Sequence, residues 1–134
     1  MTRRESRENA FLLLFEQCFH PEPIEEIAAL AAQMRDFETD DFTMQLAGGV
    51  NESLNEVDAS FEPHLIKWQK NRISKVALCL LRIAAYEITR LEDIPVSVSI
   101  NEAVEIAKKY AGEEDAAFIN GVLGSLARSV EEAK

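Results

Sequence analysis

Apolar positions recur at helical spacing along nearly the whole chain. From Thr2 to about Phe19, residues Ala10, Phe11, Leu13, Leu14 and Cys18 fall on one face. Thr2-Arg-Arg-Glu5 has the form of a capping box, in which the threonine hydroxyl accepts from the Glu5 amide and Glu5 reaches back. The run His20-Pro-Glu-Pro23 stops this helix, because proline brings no amide hydrogen to the ladder. A second helix follows, with Ile24, Ile27, Leu30, Ala31 and Met34 expected to face inward. Asp40 or Asp41 caps a third, which carries Phe42, Leu46, Val50 and Leu54. Gly48-Gly49 falls inside it at a cost of about 1 kcal/mol per glycine relative to alanine, and close contact with another helix is the expected reason.

A short apolar segment from Val57 to Trp68, interrupted by Pro63, leads to "SKVALCLLRIAAYEITR". That stretch is the most apolar helix and is expected at the centre, with Arg82 and Glu87 as its one interior charge pair. Val96 to Ile100 alternates like a strand. The residues beyond it decide for helix, since Ser99-Ile-Asn-Glu102 reads as a second capping box and Ile100, Ala103, Val104 and Ala107 share a helical face. Gly112 ends that helix and Asp115 is expected to cap the last, "AAFINGVLGSLARSV". The pattern predicts an all-α fold of about seven helices in a single domain, 1–134. Leu81, Ile83, Ala84, Val104, Ile106, Val122 and Leu123 are its core candidates. Asn101 and Asn120 are expected to satisfy backbone groups at helix ends, and Gly121 to permit close packing.

Charge changes this picture. Fourteen basic against 24 acidic residues leave a formal net charge of −10. Such a surface repels nucleic acid, so any nucleic-acid role must be local and shared with a basic partner. Yet Arg3, Arg4 and Arg7 cluster on one side of the first turns, where arginine opposes the helix dipole. The ordinary reading is a solvated helix start; the alternative is a small cationic hand for a polyanion. On the second reading Arg7 is exposed, and Arg7→Glu should weaken binding while sparing stability. Lys67, Lys70, Arg72 and Lys75 form a second basic group.

Chemistry is otherwise sparse. His20 and His64 each adjoin a proline and lack companions at metal-ligand spacing, so no metal or cofactor is expected. Neither a nucleophile elbow, a phosphate loop nor a dinucleotide fingerprint occurs, and the chain reads as no enzyme. Cys18 and Cys79 are isolated and are expected as free buried thiols in a reducing cytosol. "FLLLF" is too short for a signal peptide or a membrane span, which predicts a cytoplasmic protein.

Three motifs in order, "LLRIAAYEI", "IPVSVSINEAVEIAKKY" and "FINGVL", together resemble the NusB family of transcription antitermination factors. The resemblance spans essentially the whole chain. It implies two small helical bundles packed together. It also implies pairing with the ribosomal protein that doubles as NusE, binding of single-stranded boxA RNA in nascent ribosomal transcripts, and action within an RNA polymerase antitermination complex. Carried over by position, it makes Arg4 and Arg7, with Arg3 adjoining, and Phe118 RNA-binding residues. Where relatives often place an acid and then a base, this chain has Ala77 and Leu78, which makes them candidates for an apolar NusE-docking surface. The alternative function is a helical protein–protein adaptor or homodimer without RNA binding.

Overall fold

The structure is a computed structural model that describes residues 1–65 and 72–134. The described residues form seven α-helices and no strand: α1 (Arg3–Phe19), α2 (Ile24–Met34), α3 (Asp41–Glu52), α4 (Leu54–Phe61), α5 (Lys75–Arg90), α6 (Val96–Tyr110) and α7 (Glu113–Glu132), with a 3₁₀ turn at Glu62–His64 after α4. Helices α1–α3 form one small bundle and α4–α7 the other. Helix α5 joins them, packing against α1 and α3 on one side and α4, α6 and α7 on the other. A single apolar cluster runs through both bundles, with Phe11, Leu13, Leu46, Phe61, Leu80, Leu81, Ile119 and Leu123 fully enclosed.

Side-chain caps mark the starts of α1, α3 and α5, supplied by Thr2, Asp40 and Ser74. The Thr2–Glu5 capping box is present, with the Glu5 amide 3.1 Å from Thr2 Oγ1 and the Thr2 amide 2.8 Å from Glu5 Oε1. Asp40 caps α3 by accepting from the Thr43 amide at 2.8 Å. Its other oxygen accepts from Ser6 Oγ at 2.6 Å, which ties the start of α3 to α1. The hydrogen bonds from Ser6 and Thr43 hold the Asp40 carboxyl down at about 2, below its ordinary 3.8. A carboxyl lowered in the folded state contributes its stability above the ordinary value and loses it as pH falls toward the folded one. We therefore expect Asp40→Ala to cost about 1 kcal/mol at neutral pH. The difference from the parent should shrink between about pH 4 and pH 2, measured by urea denaturation across that range. A constant difference would place the effect outside this carboxylate.

Several expectations need correcting. Leu30 and Met34 do not face inward; they are 56% and 75% exposed, because α2 lies at the edge of its bundle and buries only Ile24, Ile27 and Ala31. Leu54 starts α4 rather than closing α3. Helix α6 begins three residues before Ser99, behind Pro95, so Ser99 and Glu102 are not a capping box. Gly112, in the left-handed region at φ 134°, closes α6 as expected by donating its amide to the Ala107 carbonyl at 2.9 Å, but α7 starts directly after it, so Asp115 lies inside the first turn rather than capping it and accepts from Ser74 Oγ at 2.8 Å. Asn101 and Asn120 lie exposed within α6 and α7, not at helix ends. Gly121 faces open space, so close packing does not explain it. Arg82 and Glu87 do not pair: Arg82 makes a two-pronged contact with Asp58 of α4 at 2.8 and 2.9 Å, and Glu87 turns to α1.

Candidate nucleic-acid interface

Helix α1 runs antiparallel to α5, with Arg7 beside Glu87 at one end and Cys18 beside Cys79 at the other. It runs parallel to α6, with Arg4 beside Glu102 and Phe11 against Tyr110. This arrangement sorts the three N-terminal arginines into different roles.

Arg7 is not exposed. Its guanidinium reaches Glu87 through Nε and Nη2, both at 2.9 Å, and lies 3.7 Å from Glu102. The two side chains of the main pair are 6% and 1% exposed. Ser99 Oγ donates to the same Glu87 at 2.8 Å. The expectation of a solvent-facing Arg7 is thus corrected. The glutamates of the "YEI" and "INEA" motifs and the buried serine between them form a lock that joins α1, α5 and α6.

Arg4 is 53% exposed and grips Glu102 with its fork. That hydrogen bond holds the Glu102 carboxyl below the usual range against the opposing effect of burial, and the Arg7 charge adds to it. Arg3 is exposed and lies over the Phe42 ring, 3.9 Å from its centroid. It borders an open cleft of about 390 Å³ whose lining mixes apolar Leu91, Ile94, Pro95 and Val98 with polar Gln45 and acidic Asp93. A guanidinium at the rim beside that apolar wall suits a base stacked on carbon with its phosphate outside.

Farther along α6, Lys108 and Lys109 are exposed. Lys109 Nζ lies 2.5 Å from Glu8 Oε1, and Tyr110 donates to the same carboxylate. Burial pushes Glu8 up, but its bonds with Lys109 and Tyr110 outweigh this and hold it below the usual range. Basic residues in a last helical turn are explained by the helix dipole alone, so nothing in the sequence marks these two lysines.

Phe118 is half-buried against the core and borders a cleft of about 190 Å³ with Arg72, Ile73 and Asp115. It lies beside the N-terminal end of α5, while Arg4 lies beside α6 near the opposite end of α1. At about 1.5 Å per residue these places are roughly 20 Å apart along the helix pair. The structure therefore does not bring Phe118 together with the arginines, and the two lysines of α6 are engaged with acids of their own, Lys109 with Glu8 and Lys108 with Glu105 at 3.4 Å.

The expected docking pair fares differently. Ala77 is 1% exposed at the start of α5, beneath Phe118, and offers no surface; Leu78 is half-buried against the core. Lys67 and Lys70 lie outside the described residues, whereas Arg72 and Lys75 are exposed. His64 is an internal link, with Nδ1 2.7 Å from Ser125 Oγ. No helix among the described residues is long and apolar enough to cross a membrane.

A family model described as "NusB family" matches residues 4–128. The transcription antitermination protein NusB of Clostridium novyi is 41% identical over 133 residues, covering 96% of this chain and all of that one. Among solved structures, T. maritima NusB superposes with a TM-score of 0.82 at 34% identity, covering 96% of this chain and 92% of that one. A second, of antitermination factors NusB and NusE in complex with double-stranded RNA, gives 0.84 at 24% identity over 95% and 96% of the two chains, a likeness of fold.

Proposed function

This chain belongs to the NusB family, and we propose that it acts as a transcription antitermination factor by binding boxA-type RNA jointly with the ribosomal protein NusE. The observation that carries this reading is the exposed pair Arg3 and Arg4 at the start of α1, beside an open cleft of mixed polar and apolar lining, on an otherwise acidic body. The pair supplies phosphate contacts, Arg3 being held in place over the buried Phe42 ring, and the cleft wall of Ile94, Pro95 and Val98 supplies an apolar face for one base. Phe118, beside Arg72 in a separate cleft, is the place where a second base can stack. Arg7 acts indirectly, by holding Glu102 and through it the Arg4 fork. The protein works by binding rather than catalysis, in the cytoplasm where transcripts are made.

A net charge of −10 opposes the approach of RNA, so a basic partner is integral to the mechanism. Ala77 is replaced in this reading by the acidic outer faces of the helices as the surface that a basic ribosomal protein meets, with Leu78 at its apolar margin. Labelled single-stranded boxA RNA titrated with this protein, with NusE and with both should bind at least roughly tenfold more tightly to the pair. Arg3→Gln should weaken binding by the pair by roughly threefold to tenfold and flatten the salt dependence by about 0.7 in the logarithmic slope, the value for one lost single-strand phosphate contact. Equal affinity with and without NusE would refute the shared site. Self-association with no RNA uptake by either mixture would favour the adaptor reading.

A further inference from the structure

The C-terminal turn of α1 carries a second chemically competent site, unrelated to RNA. Cys18 Sγ and Cys79 Sγ face each other across the α1–α5 contact at 3.8 Å. The sequence alone predicts both as buried. Only Cys79 is buried; Cys18 is exposed and lines an open cleft of about 510 Å³ together with Gln17, Pro21, Asn51 and Arg82. The two thiols are therefore unequal in access, while their sulfur atoms are already in contact.

We propose that Cys18 and Cys79 form a peroxide-responsive dithiol, in which Cys18 is the reacting cysteine and Cys79 the resolving one. The surroundings favour this division. The hydrogen bond with Cys79 draws the Cys18 thiol down to about 6, against the effect of its partial burial, and the charges of Arg82 and Lys75 act in the same direction. The same hydrogen bond and nearly complete enclosure push Cys79 up, which keeps its proton on sulfur. A thiolate beside cations, reachable from solvent, is the species that attacks peroxide.

The steps balance with hydrogen peroxide as oxidant. The Cys18 thiolate attacks one peroxide oxygen, the O–O bond breaks, and hydroxide leaves, giving a sulfenic acid. The Cys79 sulfur then attacks the Cys18 sulfur. The S–O bond breaks, and the departing oxygen leaves as water with the Cys79 proton. Two thiols lose two electrons and peroxide becomes two waters. The product cross-links α1 to α5, and a dithiol reductant returns it to the open form by exchange.

The full-length reduced protein treated with equimolar hydrogen peroxide, then digested without reductant, tests this. A Cys18–Cys79 peptide should appear, the intact mass should fall by about 2 Da, and dithiothreitol should reverse both. The same chain unfolded in urea should form the bond at least roughly tenfold more slowly, since the contact is then lost. Cys79→Ser, whose hydroxyl keeps a hydrogen-bond donor beside Cys18 but cannot resolve a sulfenic acid, should leave Cys18 as a sulfenic acid that dimedone captures, and Cys18→Ala should leave Cys79 unmodified at the same dose. Formation of disulfide-linked dimers only, equal rates in the folded and unfolded chains, or oxidation of Cys79 in Cys18→Ala would each overturn the proposal.

Discussion

Arg7→Glu will lower the stability of this protein by about 3–5 kcal/mol or more, and its effect on RNA binding will be secondary to that loss. The cost of a buried ion pair is met when both partners are present; removal of one strands the other in a medium that cannot solvate it. Glu87, 1% exposed, has Arg7 and Ser99 as its charged and polar company. A glutamate at position 7 would set three carboxylates, its own with Glu87 and Glu102, where two are now neutralised. Arg7→Met should be milder, since it removes the charge without adding another. Combining Arg7→Met with Glu87→Leu should recover much of the loss, because replacing a whole buried pair with apolar groups of similar volume is often neutral or better. Urea denaturation of the parent, Arg7→Met, Glu87→Leu and the double variant measures the cycle, with Arg7→Glu compared alongside. A variant Arg7→Glu that melts with the parent would show that the arginine is exposed in solution and return it to the RNA-contacting set.

Gly49→Val will cost about 2–3 kcal/mol, while Gly48→Ala, one residue away, will stabilise by about 0.5–1 kcal/mol. The two glycines share a helix and differ in what faces them. A Cβ at Gly49 would overlap the Tyr86 ring of α5, with Cε1 only 2.7 Å away, whereas a Cβ at Gly48 meets nothing within 4 Å. At the first position an added side chain must displace a rigid ring packed against the core, and overpacking of this kind costs about 1–3 kcal/mol before branching is considered. At the second, alanine restores helix propensity and restricts the unfolded chain without strain. Thermal melts of the two variants should move in opposite directions. A stable Gly49→Val protein would mean that α3 and α5 separate easily here. That would weaken the account of why α3 tolerates a glycine.

The helices were legible in the sequence because the signals that specify them are local. Apolar residues three and four apart define a face whatever they later touch, and a capping residue needs only the amide three positions on. Thr2 and the break at His20–Pro23 could therefore be read directly, as could the enclosed Leu46, Leu81 and Leu123, while the cap of α3 was narrowed to Asp40 or Asp41 and the structure decides for Asp40. The family motifs were equally legible, and with them the class of function.

The partners of charged and small residues were decided only in three dimensions. Arg7 and Glu87 are 80 positions apart, and Arg4 and Glu102 are 98 apart. Nothing in either neighbourhood distinguishes a solvated arginine from one that locks three helices together. Ser99 and Glu102 satisfied a capping pattern, but the chain entered the helix earlier, behind Pro95, and both side chains were free to meet α5 and α1 instead. Leu30 and Met34 lay on the apolar face of α2, yet that face is wider than the surface α2 meets. Cys18 and Cys79 lie 61 positions apart and share no motif, and only the antiparallel packing of α1 on α5 brings their sulfur atoms into contact. A periodic pattern states which side of a helix is buried. Which residue stands opposite depends on helix packing, to which the whole chain contributes.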